Sequence, residues 1–211
     1  MAGAAVLLSV AAAIGGLTWL VLTAPSAGRI TEQMVHHIVI MNLAAPAIAW
    51  FVRDLGWFHV APRQLALAGA LQITVLWLVH LPGGLHAHHT TGQVHVVILI
   101  LMALSAFWFW RTVFAIDGAR RWQAIAALLI TGKMFCLLGA IFTFAPRPLF
   151  AMANTPAALA DQQLAGLVML TACPLTYVGA AIALSVQWVG DLGLRGGVSS
   201  PLSAFEGEKA R

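Results

Sequence analysis

The sequence predicts an all-α, polytopic membrane protein, a bundle of six transmembrane helices with the N and C termini in the cytoplasm. Two observations carry the class. Of 211 residues, 61% are hydrophobic and only 9% charged, unlike a domain that must coat itself in water. Ala2–Gly28, Gln33–Val52, Gln64–Trp110 and Gln162–Gly190 contain no Asp, Glu, Lys or Arg, and each is long enough to cross a hydrocarbon core of about 30 Å. A soluble globule is excluded. So is a nucleic-acid partner, because the net charge of +4 is scattered rather than gathered on one face.

Six segments have the length and composition of membrane helices: Ala4–Ala24, Gln33–Val52, Gln64–Leu81, Gln93–Ala115, Trp122–Ala145 and Gln162–Val189. Turn chemistry separates them. Pro25 and Gly28 close the first, Arg53-Asp54 with Gly56 and Pro62 the second, and Pro82-Gly83-Gly84 the third. Asp117-Gly118 closes the fourth, and Pro146, Pro148 and Pro156 the fifth. Ala24-Pro25-Ser26-Ala27 offers small residues for signal cleavage, but no Lys or Arg precedes the first apolar run, so that span reads as a retained signal anchor. Residues 1–190 are thus a transmembrane domain, and 191–211, rich in Gly, Ser and charge, a mobile cytoplasmic tail.

Orientation follows from Lys and Arg. The face holding the termini and the second and fourth connections carries Arg53, Arg63, Arg111, Arg120, Arg121, Arg195, Lys209 and Arg211. The opposite face carries Arg29 and Arg147, and Lys133 lies inside a span. The richer face is cytoplasmic.

On this topology His36, His37, His80, His86, His88, His89 and His95 all fall at or near the outer face, and only His59 is cytoplasmic. Imidazole is the commonest protein ligand for transition metals, and ionisable groups at membrane depth are costly enough to point to function. Met34, His37 and Met41 stand at i, i+3 and i+7 on one helical stripe. Thioethers above and below an imidazole suit a soft ion, Cu(I) above all; methionine as a packing residue fits the same pattern. His36 points about a quarter-turn away, toward the site or the headgroups. His80 and His95, where helices leave and enter the membrane, bring two more imidazoles to the level of His37. The His86, His88 and His89 loop between them would capture an ion or serve as a plain polar loop.

Gln162, Gly166, Met169 and Cys173 form a second stripe, in which Gly166 allows close helix approach. Cys136 and Cys173 are either the deep end of a soft-ligand path or small packing residues. Lys133 has no acidic residue within any span and is expected to snorkel, be neutral, or lean on Asn42, Gln72 or Ser105. Asp161 caps the last helix, ligates the ion, or orients a histidine.

Several of these residues also carry a family resemblance. Phe142-Thr143-Phe144-Ala145-Pro146-Arg147-Pro148-Leu149-Phe150, then Leu159-Ala160-Asp161-Gln162-Gln163-Leu164-Ala165-Gly166-Leu167-Val168-Met169, resembles the CtaG family of bacterial cytochrome c oxidase assembly proteins. Gln33-Met34-Val35-His36-His37 through Asn42-Leu43-Ala44-Ala45-Pro46, Trp77 through His80 and Pro82, His95, and Phe107-Trp108-Phe109-Trp110 continue the likeness across Thr31–Val189. Gln33 stands where the family has the first histidine of a pair, and Leu170 where it usually has tryptophan. The resemblance implies a non-enzymatic factor of the bacterial inner membrane that helps build haem–copper oxidases. It implies copper as the cargo, an oxidase subunit as recipient and a periplasmic copper chaperone as candidate donor. The residues alone leave three rivals: a haem-binding or accessory respiratory subunit, a copper or proton transporter, and a scaffold.

Overall fold

The structure, a computed structural model, describes residues 28–53, 62–80, 92–149 and 155–197. Among these residues there are five apolar helices and no strand: α1 (Arg29–Phe51), α2 (Leu65–His80), α3 (Gly92–Phe114), α4 (Arg121–Phe144) and α5 (Pro156–Gly197). Short 3₁₀ turns at Pro62–Gln64 and Gly118–Arg120 lead into α2 and α4. The all-helical membrane class therefore stands. The described residues carry part of the expected six spans: 4 helices have crossing length and composition, and α2, with 16 residues, is about 24 Å long. The expected span Ala4–Ala24, with its cleavage question, lies outside the described residues.

α1 starts four residues before the predicted Gln33 because its N-terminus is capped from another helix, as described below. It also contains a π-helical turn, Val39–Ala44, in which the Ala45 N–H bonds to the Ile40 carbonyl. The next donor in that ladder would be Pro46, which has no N–H, so the Met41 carbonyl is released. The indole Nε1 of Trp110 donates to it at 3.2 Å.

α5 has 42 residues, about 63 Å of helix, roughly twice the hydrocarbon thickness. Thr155 caps it, its Oγ1 accepting from the Ala158 N–H at 3.2 Å, and Pro156 opens it. The helix passes the expected boundary at 190 and ends at Gly197. Asp191 accepts from Arg121 at 2.8 Å.

Two pairs of contacts fix the helix directions. α4 and α5 are antiparallel: Gln162 meets Phe142 at one end and Asp191 meets Arg121 at the other. Between these contacts Gly166 sits against the α4 backbone, where an added Cβ would lie 2.7 Å from the Gly139 carbonyl oxygen. This is the close approach expected of a small residue at a membrane helix crossing. α1 and α5 are parallel, because Thr31 meets Asp161 and Asn42 meets Cys173 farther along both chains. The core between them is aromatic and apolar, with Phe109, Trp110, Phe135 and Tyr177 all buried. Large apolar residues such as Leu101, Ile130, Phe144 and Val186 face outward, as lipid requires.

Candidate metal centre

Helical phase decides which histidine enters the bundle. Along the first turns of α1, Thr31, Met34, Val35, His37 and Ile38 are buried, while Glu32 and His36 are exposed. His37 is 2% and His80 5% exposed, which places both imidazoles among helices rather than against lipid or headgroups. The two meet directly. His37 Nδ1 lies 3.2 Å from His80 Nε2, with ring planes at 89°.

The proton positions follow from the neighbours. His80 Nδ1 lies 2.8 Å from the Leu76 carbonyl oxygen, which can only accept, so this nitrogen carries the hydrogen and a neutral His80 presents its Nε2 lone pair to His37. His37 then donates from Nδ1, and its own lone pair resides on Nε2. A backbone carbonyl thus fixes the tautomer of one imidazole, and that imidazole orients the other. Fixing a ring through its second nitrogen is the usual way in which a metal-ligating histidine is held.

The predicted methionines are buried on the same side of α1, Met34 at 3% and Met41 at 2% exposure. The π turn between His37 and Met41 widens the helix without carrying Met41 out of the core. Phe142 forms one wall of the pair, its ring centroid 6.0 Å from that of His80.

Asp161 does different work from the expected cap of its own helix. It is five residues inside α5, and its carboxylate caps α1 instead. Oδ1 accepts from the Gly28 N–H at 2.9 Å, the Thr31 N–H at 3.0 Å and the Thr31 hydroxyl at 2.6 Å, and Oδ2 accepts from the Ile30 N–H at 3.0 Å. A carboxylate placed on the first N–H groups of a helix satisfies donors with no intrahelical partner and favours the positive helix end. Gly28 is required there, because a Cβ would lie 2.6 Å from Asp161 Oδ2. His37 follows Thr31 by six residues, about 9 Å along the axis. Asp161 therefore fixes the start of the helix that carries His37.

Gln162 holds the other wall. Its amide donates to the Phe142 carbonyl at 3.2 Å and accepts from the Leu149 N–H at 2.6 Å. Asp161 and Gln162, adjacent in sequence, thus pin α1 and the C-terminal end of α4. The sequence marked both residues but not these partners.

Among the described residues, no group of three or more His, Cys, Asp or Glu is placed to hold a metal. Of the predicted ligands, the structure brings His37 and His80 into contact; Met34 and Met41 are buried on the same helix as His37, and His36 is exposed. His95 belongs to the first turn of α3, but its side chain lies outside the described residues, as do His86, His88 and His89. Cys136 is half-buried and Cys173 buried, both as free thiols. Asn42 Nδ2 lies 3.7 Å from Cys173 Sγ. Of the alternatives for Lys133, the structure sets aside leaning on Asn42, Gln72 or Ser105. Lys133 is exposed on the outside of α4, whereas Asn42, Gln72 and Ser105 are buried inside. Its neighbour Gly132 faces Tyr177, and one residue is a turn of about 100° around a helix.

The profile of the family described as cytochrome c oxidase caa3 assembly factor matches residues 1–191. No curated protein and no solved structure matches the chain.

Proposed function

The chain belongs to the cytochrome c oxidase caa3 assembly factor family, and from that premise we propose that it binds Cu(I) at its outer face and hands the ion to an oxidase subunit. The observation that carries this is the His37–His80 contact of 3.2 Å between nitrogens. That span suits a single ion held by both nitrogens at about 2 Å each. The change needed is small: His37 moves its hydrogen from Nδ1 to Nε2, and the Nδ1 lone pair joins that of His80 Nε2. Copper replaces a hydrogen bond, with no net loss of a proton from the neutral pair.

Met34 and Met41 supply soft thioethers that favour Cu(I) over oxygen-preferring ions. His95 is the candidate third imidazole, and His86, His88 and His89 the candidate capture loop. A site of two imidazoles with adaptable thioethers holds an ion without enclosing it, as exchange requires. Direct contact of the two rings favours a small ion over haem, whose macrocycle needs an open slot between axial ligands.

In this reading the chain crosses a bacterial inner membrane six times with both termini cytoplasmic, and it catalyses no reaction. Asp161 and the His37–His80 pair lie toward the periplasm, where a copper chaperone would be the donor. The test is copper content and affinity of the purified full chain. His37→Ala and His80→Ala are each expected to lower copper affinity at least about tenfold, and His36→Ala to leave it unchanged. Wild-type binding in both interior variants would overturn the proposal.

A further inference from the structure

Lys133 is the one lysine placed within a described helix, and it is placed where lysine is least tolerated. Twelve residues separate it from Arg121 and eleven from Phe144, so it stands about 18 and 16 Å from the two ends of α4. It is at mid-membrane, and its side chain, which spans about 6 Å, cannot carry the amine to either interface. Its side chain faces outward in a row with Ile130, Leu137, Ile141 and Phe144, each at least 41% exposed. The spacings of three and four residues put all five on one stripe. No described carboxylate pairs with it; the ion pair on α4 is that of Arg121 with Asp191.

A basic group on lipid at the bilayer centre is costly to insert. It is retained at far lower cost where another helix covers it with a polar or acidic partner. A second copy of this chain is a poor occupant. The acidic residues of this sequence are Glu32, Asp54, Asp117, Asp161, Asp191, Glu206 and Glu208. None falls near the middle of a described helix, and symmetric pairing on this stripe would set Lys133 against Lys133.

We propose that the Ile130–Phe144 stripe of α4 is a lateral docking surface for a transmembrane helix of the oxidase, and that this helix presents a carboxylate to Lys133 at mid-membrane. The inference rests on the family's oxidase-assembly role but not on copper binding. It places the partner beside α4, with the His37–His80 pair one layer away behind Phe142.

The test is photo-crosslinking in membranes that contain the oxidase, with a benzophenone amino acid replacing Leu137 in the full-length chain. Capture of a transmembrane oxidase subunit is expected. Lys133→Leu should lower its yield about 3- to 30-fold, the range of an interhelical polar contact in a membrane, and Lys133→Arg should keep most of it. Lys133→Leu removes a charge from a lipid-facing site, so insertion and folding are not at risk. Its copper content should match wild type, and His37→Ala should crosslink normally, which separates this proposal from the copper site. Capture of a second copy, no capture of the oxidase, or a yield indifferent to Lys133→Leu would each overturn it.

Discussion

The Asp161 end of the bundle and its deep core both bury polar side chains, but they satisfy them in different ways. At that end a single carboxylate, Asp161, takes four donors from the head of α1, and Gln162 bonds through both halves of its amide. The polar groups there are multiply tied, Asp161 to the head of α1 and Gln162 to the end of α4 and the segment after it. In the core the contacts are between neutral groups: Gln72 to Tyr177 at 2.7 Å, Asn42 to Cys173 at 3.7 Å, Trp110 to the Met41 carbonyl. The difference shows where geometry is being held. The ties of the Asp161 end converge on the helices that carry His37 and Phe142, whereas the core contacts satisfy groups that helix packing has already placed.

The sharpest way to break this contrast is Asp161→Ala. It orphans the N–H groups of Gly28, Ile30 and Thr31 near the head of α1, and a loss of about 2–4 kcal/mol is expected. Thermal unfolding in detergent measures it. Copper affinity should fall in the same variant, because α1 is then free to shift His37. A stable variant with normal copper binding would show that the cap positions nothing. Next comes Trp110→Phe, which removes the donor to the carbonyl released by Pro46 and should cost about 1–2 kcal/mol in the same unfolding measurement. Copper affinity should change little, since the π turn is also held by α1 packing on α3 and α5. The smallest effect is expected from Cys173→Ser. Its sulfur contact with Asn42 is long, and a near-isosteric hydroxyl keeps an acceptor, so stability should change by less than about 1 kcal/mol. Copper content of the purified chain should be unchanged; a fall would turn Cys173 from a packing residue into the deep end of a metal path.

How much of this was legible before folding depends on the kind of contact. Met34, His37 and Met41 were legible as a stripe because helical periodicity is local. Gly166 was legible because a glycine among apolar residues in a membrane helix signals close approach. The π turn had a signal in Pro46, whose missing N–H must release a carbonyl, but the donor, Trp110, is 64 residues beyond Pro46. Asp161 was recognised as a cap and assigned to the wrong helix, since a cap is ordinarily sought beside its own residue. Lys133 was placed near the middle of its helix, with its facing left open among the alternatives. Its depth comes from counting residues, whereas its facing depends on where Gly132 meets Tyr177.

Composition and charge-free run length alone determined that this chain is helical and lives in a membrane, because hydrocarbon offers no partner for an unpaired backbone and leaves helices as the economical answer. Motif alone determined the family. Tertiary structure decided that His37 and not His36 meets His80, that Asp161 belongs to α1, and that Lys133 looks outward. Each of these turns on the rotation and register of one helix against another, set by side chains far apart in sequence, and periodicity within a single segment carries no information about them.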